Sequence, residues 1–479
     1  MKNKYLILLV LVAFFASCTD KFEEFNTDVK NPAIVTGEAL FTNAQKALVD
    51  QISSTNVNLN VWKLFAQYWT ETTYTDEANY DIINRSIPDN TFREYYRGFL
   101  KDFNEAAVII KATKTTSAIG EIEKTNKLAI IELLNVYAFQ NLVDIFGNVP
   151  YSEALNIDNI APKYDDAATI YSDLITRLNT ALAALNVSEG SFGSADLVYG
   201  GDVAMWKKFG NSLKLKIGIT LSDANSALAK STVEAAVSGG VFTSSSDDAL
   251  VNYLGAIHTN PIYQDVVQSG RNDFVPANTI VDLMNARSDP RMPLYFTMIG
   301  SVYLGGPYGA ENPFSAYSHI AGKIIAPDFP GILLTYDEVL FYRAEAAARG
   351  YTVGGTVNAL YDAAIKASIL SWGGSAAAAT TYLALPSVAY ATATGTWQQK
   401  IGTQAYIAFY TRGLEGYTEW RRLDFPVFNL APSISAYNEI PKRFTYPVNE
   451  QTLNKTNFES AATAIGGDNL TTKLFWDKF

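Results

Sequence analysis

From Thr125 to Phe146 the chain reads TNKLAIIELLNVYAFQNLVDIF. Its apolar residues, Leu128, Ile131, Leu134, Tyr137, Leu142 and Ile145 among them, cover most of a helical circumference, and a helix apolar on most sides must be surrounded by other elements. The fold therefore needs a body thick enough to bury a helix from nearly every direction. Gly147 and Asn148 follow as a C-cap, and Pro150 stops continuation. A second, amphipathic helix is marked by Ala167, Ile170, Leu174, Leu178, Ala181 and Leu185 at three- and four-residue intervals, after Asp165 and Asp166, whose charges suit a helix N-terminus.

The same two-helix phrase returns later. Thr335 and Glu338 have the spacing of a capping box ahead of Val339 to Arg349, Gly350 closes that helix, and Leu360 to Trp372 make the next. Small residues at close-approach positions (Ala344, Ala346, Ala347; Ala363, Ala364, Ala367) suggest tetratricopeptide-like stacking of helical pairs. Helical texture also covers Ala44 to Leu64, Tyr95 to Lys111, Ala204 to Ser222 and Thr396 to Thr411. Between Phe242 and Gly331 glycines and prolines interrupt the pattern and loops dominate. These loops carry Tyr303, Tyr308, Phe314, Tyr317, His319 and Phe329.

The first residues run from Lys2 and Lys4 through the apolar stretch Tyr5 to Phe15 to Ala16, Ser17 and Cys18, which is a signal-peptide layout. An apolar run of 11 residues is short of the roughly 20 that span a bilayer, so residues 1–17 are expected to be cleaved. Cys18 is the only cysteine, which leaves no partner for an intrachain disulfide. Its position after Phe15-Ala16-Ser17 resembles a bacterial lipobox, with Phe in place of the usual Leu, and marks it as the lipidation site. Residues 18–35 then read as a polar, lipidated flexible tether. At 48% hydrophobic and 18% charged, the rest describes an ordered globular body. Cleavage would lower the formal charge from −11 to −13; with no basic stripe to offset that repulsion, nucleic acid is not an expected partner.

His258 and His319 are the only histidines, and neither has a second His or Cys at metal-ligand spacing, so no zinc site or other metal is expected. No nucleophile elbow, phosphate-cradling loop or dinucleotide fingerprint occurs. A carboxylate-pair glycosidase needs only two Asp or Glu at a suitable separation, which spacing does not reveal, and stays open as the alternative function. Most aromatic rings are expected to be core. Two loop-like clusters stand out as candidate ligand contacts: Trp69, Tyr74, Asp76, Asn79 and Tyr80 in one, Tyr303, Tyr308 and Tyr317 in the other. Rings that stack on sugar faces beside Asn and Asp for the hydroxyls, or apolar platforms for a peptide, would use residues of this kind.

Several phrases together resemble the SusD/RagB family of surface nutrient-binding lipoproteins, in its SusD-like branch: the lipobox and acidic tether, NVYAFQNLVDIFGNVPYSEAL (135–155), NARSDPRMPLYF (285–296), LTYDEVLFYRAEAAARG (334–350), EGYTEWRRLDFP (415–426) and IPKRFTYPVNE (440–450). For Asp289, Trp420, Arg421 and Arg422 within these phrases, a structural ion network is favoured over ligand contact. The resemblance implies a mainly α fold: a tetratricopeptide-like scaffold (about 36–235 and 332–430), a loop-rich ligand-binding subdomain (about 236–331) and a C-terminal packing segment (about 431–479), together one body over 36–479. It further implies a lid over a SusC-like TonB-dependent transporter, anchored to the outer membrane by lipid and facing the cell surface. Such a protein binds oligosaccharides or peptides for uptake without breaking a bond, and the covalent lipid on Cys18 is its only added group. A structural adhesin would instead need β-rich donor-strand segments, and alternating runs are scarce.

Overall fold

In the computed structural model, which describes residues 35–433 and 439–479, the apolar segment 125–146 is the inner part of a longer helix, Ala118–Phe146. The expected signal peptide, Cys18 and, but for Val35, the tether lie outside the described residues. The helices of eight residues or more are α1 (Gly37–Ser53), α2 (Lys101–Ala112), α3 (Ala118–Phe146), α4 (Ala167–Ala184), α5 (Val203–Thr220), α6 (Ser226–Gly239), α7 (Asn278–Asn285), α8 (Tyr336–Ala348), α9 (Val357–Ser371), α10 (Ala376–Leu383), α11 (Trp397–Ala408), α12 (Gly413–Leu423) and α13 (Lys455–Ala464). The chain is thus mainly helical.

Every residue from Leu133 to Pro150 is buried. At 29 residues α3 as a whole is long and apolar enough to cross a bilayer, but this part of it lies inside the folded body. Its one acid there, Asp144, accepts hydrogen bonds from Gln140 Nε2 (2.8 Å), the Tyr171 hydroxyl of α4 and Trp476 Nε1 (3.0 Å). A buried carboxylate that is fully hydrogen-bonded ties elements together without being left orphaned. Here it joins α3 to α4 and to the C-terminal segment.

Helices pack in succession, α1 with α2, α3 with α4, α5 with α6, α8 with α9 and α11 with α12. In α5 two glycines set the spacing: a Cβ at Gly210 would lie 2.7 Å from Leu182 of α4, and one at Gly218 would lie 2.9 Å from Val233 of α6. At the start of α8 the expected capping box does not form. Thr335 Oγ1 donates to Asp337, and Glu338 is turned into the core, where it takes Arg412, Lys216 (3.4 Å) and the Tyr342 hydroxyl (2.7 Å). Two buried cations are stronger partners for a carboxylate than one backbone N–H.

The phrases 285–296 and 415–426 hold the ion network expected of them. Asp289 and Arg291 are sealed from solvent and pair through two contacts of 2.6 and 2.9 Å. Arg421 donates to the carbonyls of Asp144 (2.7 Å) and Lys442 (2.8 Å), and Arg422 pairs with Glu345 and donates to Ile219 O (2.8 Å). Trp420 stacks on Phe428 with ring centroids 4.5 Å apart. Arg421 and Arg422 lock α12 to α3, α5 and α8, while Arg291 reaches α9 and α11 through Ser368 and Gln404.

Strands are short and form three antiparallel pairs among the described residues: β1 (Trp69–Glu71) with β5 (Phe274–Pro276), β2 (Val149–Pro150) with β3 (Tyr164–Asp165), and β4 (Ala249–Val251) with β6 (Gly331–Leu334). In the first, Trp69 faces Pro276 and Glu71 faces Phe274. That pairing clamps the loop after β1 against the loop before β5, and a cleft opens between them.

Candidate functional site

The cleft encloses about 260 Å³ and is lined by the turn 55–58, by Glu71 at the end of β1 and Thr73, Tyr74, Glu77 and Arg85 after it, and by Asp265, Arg271 and Asp273 before β5 with Phe274 at its start. Each wall is fixed locally. Asp265 Oδ2 accepts from Thr55 N (3.0 Å) and from the hydroxyls of Ser54 and Thr55 (both 3.2 Å), which pins the turn. Beneath it Lys63 Nζ donates to the carbonyls of Ser53 (2.8 Å) and Ser54 (3.1 Å), satisfying the end of α1. Burial pulls this ammonium down to about 7, against the attraction of Asp265. Tyr74 has a positive φ of 56° and turns its ring out at the rim, 69% exposed.

The floor is a carboxyl pair. Glu71 is buried and accepts from Ala78 N (2.9 Å), while Glu77 pairs with Arg85, which reaches the surface. Burial, reinforced by the neighbouring Glu77, pushes the Glu71 carboxyl up to about 10, and burial raises Glu77 as well. The pair therefore keeps a proton between Glu71 and Glu77, with Arg85 beside the carboxylate charge that remains. A carboxyl pair in mutual contact and cut off from solvent leaves no space between its members for a glycosidic oxygen, unlike the separated carboxyls of a glycosidase.

The shared proton has a measurable consequence. Raised above its ordinary value, Glu71 keeps its proton in the folded state where the unfolded chain would release it. Its contribution to stability is full below the ordinary carboxylate range and shrinks as pH rises toward the folded value. Glu71→Gln keeps the shape and the donor of the neutral acid. It is expected to melt increasingly above the parent as pH is raised from about 5 to about 8. A thermal-unfolding gap that stays constant with pH would show that Glu71 is ionised in the fold.

The two aromatic clusters do converge, but most of their members meet below the surface. Trp69 is 1% exposed and donates through Nε1 to the Tyr410 hydroxyl (2.9 Å). Tyr80, also 1% exposed, stands edge-on to Phe65 at 5.1 Å and lies 6.1 Å from Tyr308. The Tyr308 ring is buried and its hydroxyl donates to Leu64 O (2.9 Å). Asn79 bridges Thr75 O (2.7 Å), Gly309 O (2.8 Å) and Ser433 N (2.8 Å). The expectation that these four contact a ligand is therefore corrected: the loop after β1 folds inward, and their polar atoms hold loops together. Tyr74 and Asp76 are exposed, and Tyr303 and Tyr317 are half-buried, so these four remain presentable to a ligand. Of them only Tyr74 lines the cleft. Arg85, Arg271, Asp265 and the Glu71–Glu77 pair were not singled out from sequence, because only the β1–β5 pairing brings them together.

Over residues 29–447 the sequence matches the family described as SusD-like, starch-binding and associating with the outer membrane. None of the curated proteins matches it. Among solved structures, one described as a chitin-binding protein shares 25% identity and superimposes with a TM-score of 0.80, covering 93% of this chain and 100% of its own. A chitin-binding SusD homologue from Flavobacterium johnsoniae (24% identity, TM-score 0.77, 92% and 97% covered) and a SusD homologue from Bacteroides uniformis (24%, 0.77, 92% and 99%) share the same fold.

Proposed function

The chain belongs to the SusD-like family, and from that membership we propose that it is a cell-surface lipoprotein, anchored through Cys18, that captures oligosaccharide in the cleft beneath Tyr74 and delivers it to a SusC-like TonB-dependent transporter. The observation that carries the reading is the cleft itself. An outward-facing tyrosine stands over a ring of fixed donors and acceptors, which is what a neutral, hydrated ligand requires: an apolar face to stack on and directed partners for its hydroxyls. Its side chains are held by one another, so little has to be ordered on binding. Two of the similar structures are described as chitin-binding, which makes chitooligosaccharide the first ligand to try.

Calorimetric titration of the purified protein with chitooligosaccharides and maltooligosaccharides tests this. Tyr74→Ala is expected to weaken binding about thirtyfold, or about 2 kcal/mol, as for other central aromatic contacts. Because the ring is exposed, thermal stability should hardly change. Unaltered affinity in Tyr74→Ala would remove the cleft from the binding reaction. For delivery, gentle extraction of native membranes should recover the protein bound to its transporter; recovery of free lipoprotein alone would count against it.

A further inference from the structure

The largest cavity among those described is elsewhere, about 480 Å³ between α7, α9, α11 and the segment after α12, within the about 300–1,000 Å³ of small-molecule sites. It shares no residue with the cleft under Tyr74. The chain carries 48 acids against 37 Lys and Arg, yet among the described residues no Asp or Glu lines this cavity, while Arg287 and Lys400 both do. Both are half-buried. Arg287 donates from Nη1 to Leu283 O (2.9 Å), and Lys400 donates to Tyr390 O (2.9 Å) and lies 4.9 Å from that ring's centroid. Among the described residues, neither has a carboxylate within ion-pair distance. Cations partly withdrawn from water normally find a counter-charge; here two of them line one hollow that has none among the described residues.

The rest of the lining narrows what would fill it. Thr394 and Thr403 bring hydroxyls, and Phe425 brings a half-buried ring. A bare inorganic oxyanion would use the charges and leave the ring idle. A sugar carrying a carboxylate or sulfate would use all three features: oxyanion on guanidinium and ammonium, hydroxyls on the threonines, apolar face on the ring. We propose that this cavity is a second saccharide site, selective for uronate- or sulfate-bearing residues, with Arg287 and Lys400 holding the anionic group. It does not depend on the Tyr74 cleft binding glycan.

The test is a calorimetric titration of the full-length mature protein with a heparin-derived disaccharide carrying uronate and sulfate, with inorganic sulfate and with chitobiose. The sulfated disaccharide is expected to bind, and Arg287→Gln combined with Lys400→Gln to weaken it at least about tenfold, while Tyr74→Ala leaves it unchanged. Inorganic sulfate should bind more weakly than the disaccharide. Undiminished binding in the double variant overturns the proposal, as does no binding to the parent, or inorganic sulfate binding as tightly as the disaccharide. A thermal melt of the double variant matching the parent assigns any loss to the site and not to unfolding; if it does not match, Lys400→Arg, which keeps the charge, must retain binding or the proposal falls. Chitobiose failing to bind would bear only on the Tyr74 cleft.

Discussion

Arg291→Met is expected to destabilise the protein by about 3–5 kcal/mol, the range seen when one partner is removed from a buried ion pair. The guanidinium is sealed from solvent and each of its three nitrogens donates: two contacts on Asp289, one on Ser368 Oγ (3.1 Å) and one on Gln404 Oε1 (3.0 Å). Methionine fills comparable space but leaves the Asp289 carboxylate buried and unmatched. Burial alone would raise Asp289; the charge and hydrogen bonds of Arg291 outweigh it and hold the carboxyl below its usual value. A depressed carboxylate contributes stability above its unfolded pKa and loses it as pH falls through the folded one. The deficit of Arg291→Met should therefore be largest near neutrality and shrink in acid. Adding Asp289→Leu should recover much of the loss at neutral pH, since the unmatched charge then disappears, with Ser368 and Gln404 accounting for the remainder. Chemical denaturation of the two single variants and the double variant closes the cycle. A loss below about 1 kcal/mol for Arg291→Met would mean that the pair behaves as a surface one.

What could be read from sequence divides along a physical line. The burial of α3 was legible because hydrophobicity around a whole circumference has one solution, enclosure. Local signals at α3 and α4 were legible too: Gly147 does end α3 with a positive φ of 83°, and Asp166 does cap α4 by accepting from Thr169 N (2.9 Å). Thr335 and Glu338 carry the same kind of signal and fail, because a local motif says nothing of Arg412, far along the chain, which claims the glutamate. The site was obscured for a related reason. Trp69, Thr70 and Glu71 are all buried although β1 alternates ring, hydroxyl and carboxyl. Its polar members are matched inside: Thr70 Oγ1 accepts from Gly309 N (3.1 Å) and Glu71 from Ala78 N. A strand buried on both faces with polar residues satisfied internally looks, in sequence, like an exposed loop. Tyr74, five residues on, has the same composition around it and points outward. Only the backbone, not the residue type, separates them.

That distinction can be measured. Trp69→Ala is expected to lower stability by about 3–5 kcal/mol, as large-to-small changes of buried aromatic residues do, while oligosaccharide affinity well below the melting temperature stays close to that of the parent. The ring packs against Phe274 (5.7 Å between centroids), and Lys63 Nζ lies 5.8 Å from it. Its loss would open a cavity and strand the Tyr410 hydroxyl, which accepts from Nε1. Tyr410 in turn stacks on Tyr295 at 4.5 Å and meets Trp372 at 6.4 Å, so the defect would sit at the centre of an aromatic cluster with little freedom to collapse. Because Trp69 is only two residues from Glu71, a shifted β1 could disturb the cleft floor indirectly. Trp69→Phe separates the two effects: it keeps most of the packing and β1 in register but loses the N–H, and should be about 1 kcal/mol less stable with affinity intact. Calorimetric unfolding and ligand titration on the same samples of both variants and Tyr74→Ala should then give opposite patterns, stability lost at Trp69 and affinity lost at Tyr74. If Trp69→Phe weakened binding about tenfold or more with little change in melting, the ring would have to reach the ligand and its buried position would be wrong.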